Sequence, residues 1–295
     1  MKLGFYILGK KGYESLVAVV QRYGSDVVEY VVTSQDKGVV KDWHDEIVAF
    51  CQDAGVFVCS RKDLCARDAD YVFAIGWRWM INKCENLIVF HDSLLPKYRG
   101  FAPLVNMLIN GEPEIGVTAL QAAKEYDKGN IIFQKSIQVE YPIKIQDAIE
   151  EIIPLYVDLV IKVCEVIKSG SAFKYSIQNE CDATYSLWRG ERDYYIDWNG
   201  NAQKIKRFVD AVGQPYDFAK SLIDKSEVRV IDVSVVDDVT VEDRDAHIGK
   251  VIFMKKGCPV IVCGKGLIMI NDLHDLDGND LIGKMSFRTR FESVL

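Results

Sequence analysis

Short apolar runs alternate with stretches of helical spacing through the first half of this sequence, and no other feature narrows the possible folds so far. Runs at 3–8 (LGFYIL), 27–33 (VVEYVVT), 56–59, 71–76 (YVFAIG) and 87–91 (LIVFH) are short and nearly free of polar residues. That is the pattern of strands buried on both faces. Between them, 13–23 carries Leu16, Val19 and Val20 at helical spacing, and 43–54 carries Ile47, Val48 and Cys51. Strands alternating with helices predict a mostly parallel sheet with helices on both faces. Ligands of such sheets gather at the carboxyl ends of the strands. His91 closes the last of these runs, and the loop Trp77-Arg-Trp-Met80 follows the run before it, so the two loops are expected to be neighbours.

The glycines after the first run, Gly9 and Gly12, predict a turn at 9–12 and do not make the G-x-G-x-x-G fingerprint of a dinucleotide site. A nicotinamide oxidoreductase is therefore disfavoured. Beyond His91, Pro96 and Gly100 punctuate a loop, and Pro103 suits the first turn of a helix at 102–110. Strands are expected at 115–120 and 131–139 around a turn at 127–129. A helical region follows at 143–168, with Pro154 predicting a kink or break. The texture changes after Gly170: 179–192 is polar and irregular, 201–212 is helical, and four short apolar runs follow from Val228, as in a small β-barrel or sandwich.

Bulk composition excludes some functions. The 295 residues are 49% hydrophobic and 27% charged, with a net charge of −7, which argues against a phosphate backbone as main partner. No stretch reaches membrane-spanning length without charges. The apolar stretch at 3–9 is short for a signal peptide and no small-residue cleavage site follows it. The eight cysteines, 51, 59, 65, 84, 164, 181, 258 and 263, form no C-x-x-C pair and no zinc spacing. They read as reduced thiols of a cytoplasmic protein, with no metal site.

A histidine at a strand end is commonly a core residue, and an aspartate opening a turn is commonly a turn former. A His and an Asp from adjacent strand ends instead make a coupled pair, the carboxylate fixing the tautomer of the ring. Such a pair suits acyl transfer, where an oxyanion forms and a proton moves. The stretch His91–Asp127 resembles the core of the 10-formyltetrahydrofolate-dependent formyltransferases, the family of methionyl-tRNA formyltransferase and the sugar N-formyltransferases. The matching residues are His91, the run Ser93-Leu-Leu-Pro-Lys-Tyr-Arg-Gly100, Ala102-Pro103, Asn110-Gly111-Glu112, Gly116-Val-Thr118 and Asp127-x-Gly129-Asn-Ile131. More weakly, Asp193-Tyr-Tyr-Ile-Asp-Trp198 is similar to the family's entry into its second domain, and 249–273 to its C-terminal barrel.

The resemblance implies a Rossmann-like catalytic domain at 1–180 and, at 181–295, a linker helix with a small OB-like β-barrel. It implies transfer of a formyl group from 10-formyltetrahydrofolate to a primary amine. His91 matches the catalytic histidine and Asp127 its aspartate. Ser93, Leu94, Leu95 and Pro96 match the folate loop, and Trp79, Met80 and Ile81 the segment whose backbone reads the pterin. Lys97, Tyr98 and Arg99 are placed to meet a diphosphate. One residue departs from the pattern: Val89 stands where the family has an Asn that donates to the formyl oxygen. The loss of one such donor typically lowers the rate by ~10²–10³. Among possible replacements, Asn86 has the wrong strand parity, while Asn82, Lys83 and Ser93 depend on how the loops fold. Asn130 replaces an aspartate.

The acceptor expected is a nucleotide-linked amino sugar for surface-glycan synthesis, with neither nucleic acid nor membrane as partner. The alternatives are methionyl-tRNA and, because of Val89, a folate-binding or formyl-hydrolysing relative. The tRNA enzymes carry a basic insertion after the second strand, whereas 34–42 here is short and nearly neutral, and acidic residues crowd 232–245. Oligomeric state is left open, with a homodimer among the options.

Overall fold

The apolar runs of the first half become strands of one sheet. In the computed structural model, which describes residues 1–63, 67–81 and 86–294, the chain runs β1 (Leu3–Ile7), α1 (Gly9–Tyr23), β2 (Val28–Thr33), α2 (His44–Asp53), β3 (Val58–Ser60), β4 (Tyr71–Ile75), β5 (Leu87–His91), β6 (Arg99–Gly100) and α3 (Pro103–Asn110). It continues through β7 (Glu114–Gln121), β8 (Ile131–Gln138), α4 (Ile145–Ser169) and β9 (Tyr185–Ser186). Then come α5 (Ala202–Ala211), β10 (Ala219–Ile223), β11 (Ser226–Val236), β12 (Val251–Lys255), β13 (Cys258–Val262), β14 (Leu267–His274) and β15 (Phe291–Glu292). The chain divides into two compact units. The first comprises Met1–Leu104, Pro113–Val139 and Ala148–Leu187, and the second Val105–Glu112, Glu140–Asp147 and Trp188–Leu295.

The first unit is a Rossmann-like mixed sheet in the order β3-β2-β1-β4-β5-β7-β8. The first five strands are parallel and β7 and β8 run antiparallel. Strand order reverses between β1 and β4, the switch point beside which open α/β sheets bind ligands. Right-handed crossovers put the connections of β1–β2–β3 on one face and those after β3 and β4 on the other. Among the described residues the expected helices on both faces are found on one face only: α2, α1 and α4 form one layer. Tyr13 meets Phe50 at 5.9 Å, Lys10 pairs Glu150 at 2.5 Å, and Arg22 pairs Glu165 at 2.6 Å. Phe5, Phe73 and Phe90 pack beneath that layer. The opposite face carries Tyr30, Val32, Val72, Ala74, Leu87 and Val89, covered by loop side chains such as Ala69, Trp77 and Ile81.

Two local expectations are corrected. Residues 9–12 are the first turn of α1, not a turn before it. A Cβ on Gly12 would stand 2.8 Å from the Cβ of Ile7, so this glycine lets the helix settle against its own strand. Pro154 does not interrupt α4. Its ring and the carbonyl of Glu150 that it leaves without a donor both lie on the exposed side of the helix, where water can take that carbonyl.

The second unit is a six-stranded antiparallel sheet, β12-β13-β14-β11-β10-β15, curled into a half-barrel of the expected OB-like kind. The long β11 shifts register at Val230–Val233, which lets it pair with β14 and β10 in turn. Trp198 plugs the sheet, donating its indole N–H to Ser221 Oγ at 3.0 Å and packing on Phe291. Helix α5 buries Ile205 and Val209, and Asn201 caps it by accepting from the Gln203 N–H. Among the described residues no helix is long and apolar enough to cross a membrane. The six described cysteines form no disulfide; Cys65 and Cys84 lie outside the described residues. Burial pushes the thiols of Cys51, Cys164 and Cys263 up to about 12.

Candidate active site

Alternation along β5 decides what faces the open side of the sheet. Leu87, Val89 and His91 share one face, while Ile88 and Phe90 point into the helix layer. His91 pairs across the ladder with Thr118 of β7, and Val89 with Leu120. The next residue, Asp92, turns toward the helices and is held by Lys11 Nζ and the Tyr156 hydroxyl. Burial works to raise its pKa, but the Lys11 charge and hydrogen bond, the Tyr156 hydroxyl and nearby His91 outweigh it and hold the carboxyl below the usual range. The same burial and the Asp92 charge push the Tyr156 phenol well above its ordinary value. A half-buried ion pair thus anchors the residue next to His91.

The imidazole is 8% exposed and both its nitrogens face acceptors. Nε2 donates to the Tyr98 carbonyl at 2.8 Å, and Nδ1 stands 3.6 Å from Asp127 Oδ1, within ion-pair range but longer than a hydrogen bond. Asp127 Oδ2 accepts from the Gly100 N–H at 2.8 Å. Asp127 has φ 57, a left-handed conformation that Asp tolerates. Two residues on, a Cβ at Gly129 would fall 1.6 Å from the Gln121 carbonyl oxygen, so the turn that presents Asp127 admits only glycine there.

The loop at 93–98 is bonded to itself and to the sheet. Thr118 Oγ1 donates to the Ser93 carbonyl at 2.6 Å and accepts from the Leu95 N–H at 3.1 Å. Gln134 Nε2 reaches both Leu95 O and Thr118 Oγ1 at 2.9 Å. The Ser93 hydroxyl donates to Lys97 O at 2.7 Å. Ser93 and Leu95 are buried, and Leu94 and Pro96 are half-buried. Since its only proton is committed, Ser93 does not stand in for the amide missing at Val89. Asn86 is exposed and donates to Asp70 O, and Asn82 and Lys83 lie outside the described residues. Trp79 and Ile81 are half-buried while the Met80 side chain is 70% exposed; Ile81, Trp77 and Val89 pack on one apolar cluster.

The three residues offered to a diphosphate part company. Lys97 is exposed. Tyr98 is half-buried, with its carbonyl on His91 and its N–H on Thr184 Oγ1. Arg99 is fully buried, and every guanidinium N–H is engaged: Nε with Gln178, Nη1 with Glu180 and Tyr185, Nη2 with Gln178 and Glu180, at 2.8–3.3 Å. The expectation that Arg99 meets phosphate is corrected, because no donor is left for one. Its work is indirect. Gln178, fixed through Oε1 by Arg99, donates Nε2 to the carbonyls of Asp127 and Gly129 at 2.7 Å each and so holds the turn that carries Asp127. Nothing in the sequence singled out Gln178, a polar residue in an irregular segment. Thr118 lay within the recognised motif and Gln134 just beyond it.

Two family descriptions match the chain: formyl transferase at residues 66–153, and formyl transferase, C-terminal domain, at 190–289. Together they span more than half of it. Methionyl-tRNA formyltransferase of Thermotoga maritima is 34% identical over 158 residues, 52% of this chain and 48% of the relative. The chain thus spans about half the length of the curated relatives it matches. Among solved structures, a sugar 3N-formyl transferase solved with dTDP and 5-N-formyl-THF has a TM-score of 0.69 at 20% identity, covering 94% of this chain and 98% of that one. An N-formyltransferase from Helicobacter canadensis, in complex with folinic acid and dTDP-3-aminofucose, has a TM-score of 0.67 at 18% identity, covering 92% and 98%.

Proposed function

The chain belongs to the formyltransferase family, and on that premise we propose that it moves a formyl group from 10-formyltetrahydrofolate to the primary amine of a nucleotide-linked amino sugar. The observation that carries the reading is the His91–Asp127 pair, 3.6 Å apart, with His91 closing β5 and Asp127 in the β7–β8 loop, and each member fixed by bonds to loop backbone. The amine attacks the formyl carbon and an oxyanion forms. The bond to N10 of the folate then breaks, and the proton lost by the amine ends on N10. For this the His91 ring releases the Tyr98 carbonyl, which frees Nε2 to take and deliver that proton and to face the oxyanion, while Asp127 holds the imidazolium from Nδ1. The folate lies along the loop Ser93–Pro96 and the backbone of 79–81.

A sugar as acceptor is supported by charge. The net charge is −7, and the loop after β2 holds Asp36 and Asp42, with Asp36 neutralising Arg78 at 2.6 Å. A phosphate backbone gains little from such a surface. The fold shared with two sugar-formylating proteins adds support. Methionyl-tRNA is the second reading, favoured by the curated relatives' names.

The test gives the purified protein 10-formyltetrahydrofolate with either a panel of nucleotide-linked amino sugars or charged initiator tRNA, at ordinary salt. Formylation of a nucleotide sugar and not of the tRNA is expected. Efficient formylation of the tRNA alone replaces the first reading by the second. Folate turnover that no amine accelerates replaces both by formyl hydrolysis.

A further inference from the structure

A ladder of rings runs along the carboxyl ends of β1, β4 and β3, on the sheet face that also carries Val89 and His91. Tyr6 meets Trp77 edge-on with centroids 5.1 Å apart, Trp77 meets Trp79 at 5.0 Å, and the Arg61 guanidinium lies over the Trp79 ring at 4.0 Å. Tyr30 backs the ladder, 6.2 Å from Tyr6.

Among the described residues, two donors in this ladder have no acceptor. Trp77 Nε1–H is buried with no hydrogen-bond partner, and an orphaned buried donor in a native fold calls for an explanation, commonly a ligand or a water. Arg61 is exposed and, among the described residues, makes no ion pair. Other arginines of this unit are spoken for: Arg67 by Glu29 at 3.2 Å, Arg78 by Asp36, Arg99 by Gln178 and Glu180. Aromatic faces beside an unpaired guanidinium and a spare indole N–H suit a ligand with a ring, hydroxyl or carbonyl oxygens and a phosphate. Arginine binds phosphate through a planar fork while its face stays stacked on an aromatic ring.

We infer that the ladder Tyr6–Trp77–Trp79–Arg61 is the acceptor wall of the site, with Arg61 on the phosphate of a nucleotide-linked sugar and Trp77 Nε1–H on an oxygen of the same ligand. The inference rests on the nucleotide-sugar reading above and assigns to Arg61 the contact that buried Arg99 cannot make. Arg61 follows β3 and His91 ends β5, four strand spacings apart, so the long Arg61 side chain, turned along the Trp79 ring, has to reach toward His91 to meet the phosphate. The other source of anionic oxygens is the glutamyl tail of the folate, and the experiment separates the two.

The full-length protein, as wild type, Arg61→Gln and Trp77→Phe, is titrated calorimetrically with dTDP, UDP and GDP in one arm and with folinic acid in the other, with thermal midpoints recorded. Arg61→Gln is expected to weaken nucleotide binding about 10–100-fold, the worth of hydrogen bonds to a charged group, and to leave folinic acid within about twofold. Trp77→Phe keeps a ring and removes the orphaned N–H, so it should weaken the nucleotide several-fold while leaving folinic acid binding within about twofold. A wild type that binds folinic acid but none of the nucleotides overturns the nucleotide-sugar reading and this inference with it. A wild type that binds a nucleotide which Arg61→Gln binds equally well overturns the inference alone. Loss of folinic acid binding in Arg61→Gln, with nucleotide binding intact, reassigns the ladder to the folate.

Discussion

At the β5–β7 corner of the sheet the polar groups are bonded to one another, whereas along the β3-to-β4 half of the same face two of them have no partner among the described residues. Arg99 uses all five of its N–H groups, Gln178 and Gln134 each hold two carbonyl or hydroxyl oxygens, and Thr118 both donates and accepts. There an edge-to-face ring contact holds Trp77 and Trp79 while the Trp77 N–H and the Arg61 guanidinium lack partners among the described residues. A committed network fixes geometry because each group has one satisfied arrangement, which suits a place where a proton must be moved. Uncommitted donors cost stability in the free protein and return it when a ligand supplies the acceptor, which suits a place where a substrate lands.

The largest effect that separates the corner from the β3-to-β4 half is on turnover. His91→Asn and Asp127→Asn should each lower kcat by ~10²–10⁴, the usual worth of a positioned acid–base group, with the circular dichroism spectrum unchanged. Near-normal kcat in either folded variant would take the chemistry away from this corner.

Next comes stability. Arg99→Ala leaves Gln178 and Glu180 without their donor and removes a buried fork, and should cost on the order of 2–4 kcal/mol in denaturant unfolding. Arg61→Gln, with only a stacking contact at an exposed site, should stay within about 0.5 kcal/mol of wild type. Equal losses in the two would erase the contrast between a committed and an uncommitted arginine.

Asp92 gives a pH dependence with a definite sign. Its carboxyl titrates lower in the folded protein than in the unfolded chain. Its contribution is therefore fully present above the ordinary carboxyl pKa of about 4 and is lost as pH falls through the folded value. Asp92→Asn should thus be less stable than wild type at neutral pH, and the gap should narrow toward about pH 3. A gap that widens on acidification would show that Lys11 and Tyr156 do not favour the charged form.

The smallest effect is expected at Val89. It packs with Trp77 and Ile81 on an apolar cluster, where an unpaired amide costs about 1–3 kcal/mol. Val89→Asn should leave kcat unchanged or lower it. A rise near 10²-fold, the size of one oxyanion donor, would mean that the site works below its capacity and that nothing has replaced the missing amide.

What the sequence made legible follows the range of the interactions involved. The strands around the switch point were readable because uninterrupted apolar runs have few other uses, and β5 was bounded at Leu87 and His91 by its own residues. β10 was not: it carries Lys220, which is buried only because Asp217 and Glu227 pair with it at 3.0 and 3.1 Å, and a lysine in a short run reads as surface. Gly9 to Gly12 read as a turn because glycine marks turns far more often than it marks a helix pressed onto a strand. His91 and Asp127 stood out through the spacing of a long motif. Arg99 lay in the same motif and was misread, since its partners Gln178 and Glu180 sit some eighty residues on. Arg61 and Trp77 are invisible as a pair in the sequence, because their relation exists only once β3, β2, β1 and β4 lie in that order in the sheet.

The central claim is that His91 and Asp127 act as one unit, and the kinetic double-mutant cycle tests it most directly. His91→Asn, Asp127→Asn and the double variant are compared for kcat with 10-formyltetrahydrofolate and the nucleotide sugar found in the panel. If Asp127 works only through His91, the double variant should be no slower than the slower single variant, because residues acting as a unit are not additive. Losses that multiply in the double variant would contradict the account and show two independent contributions to the transfer.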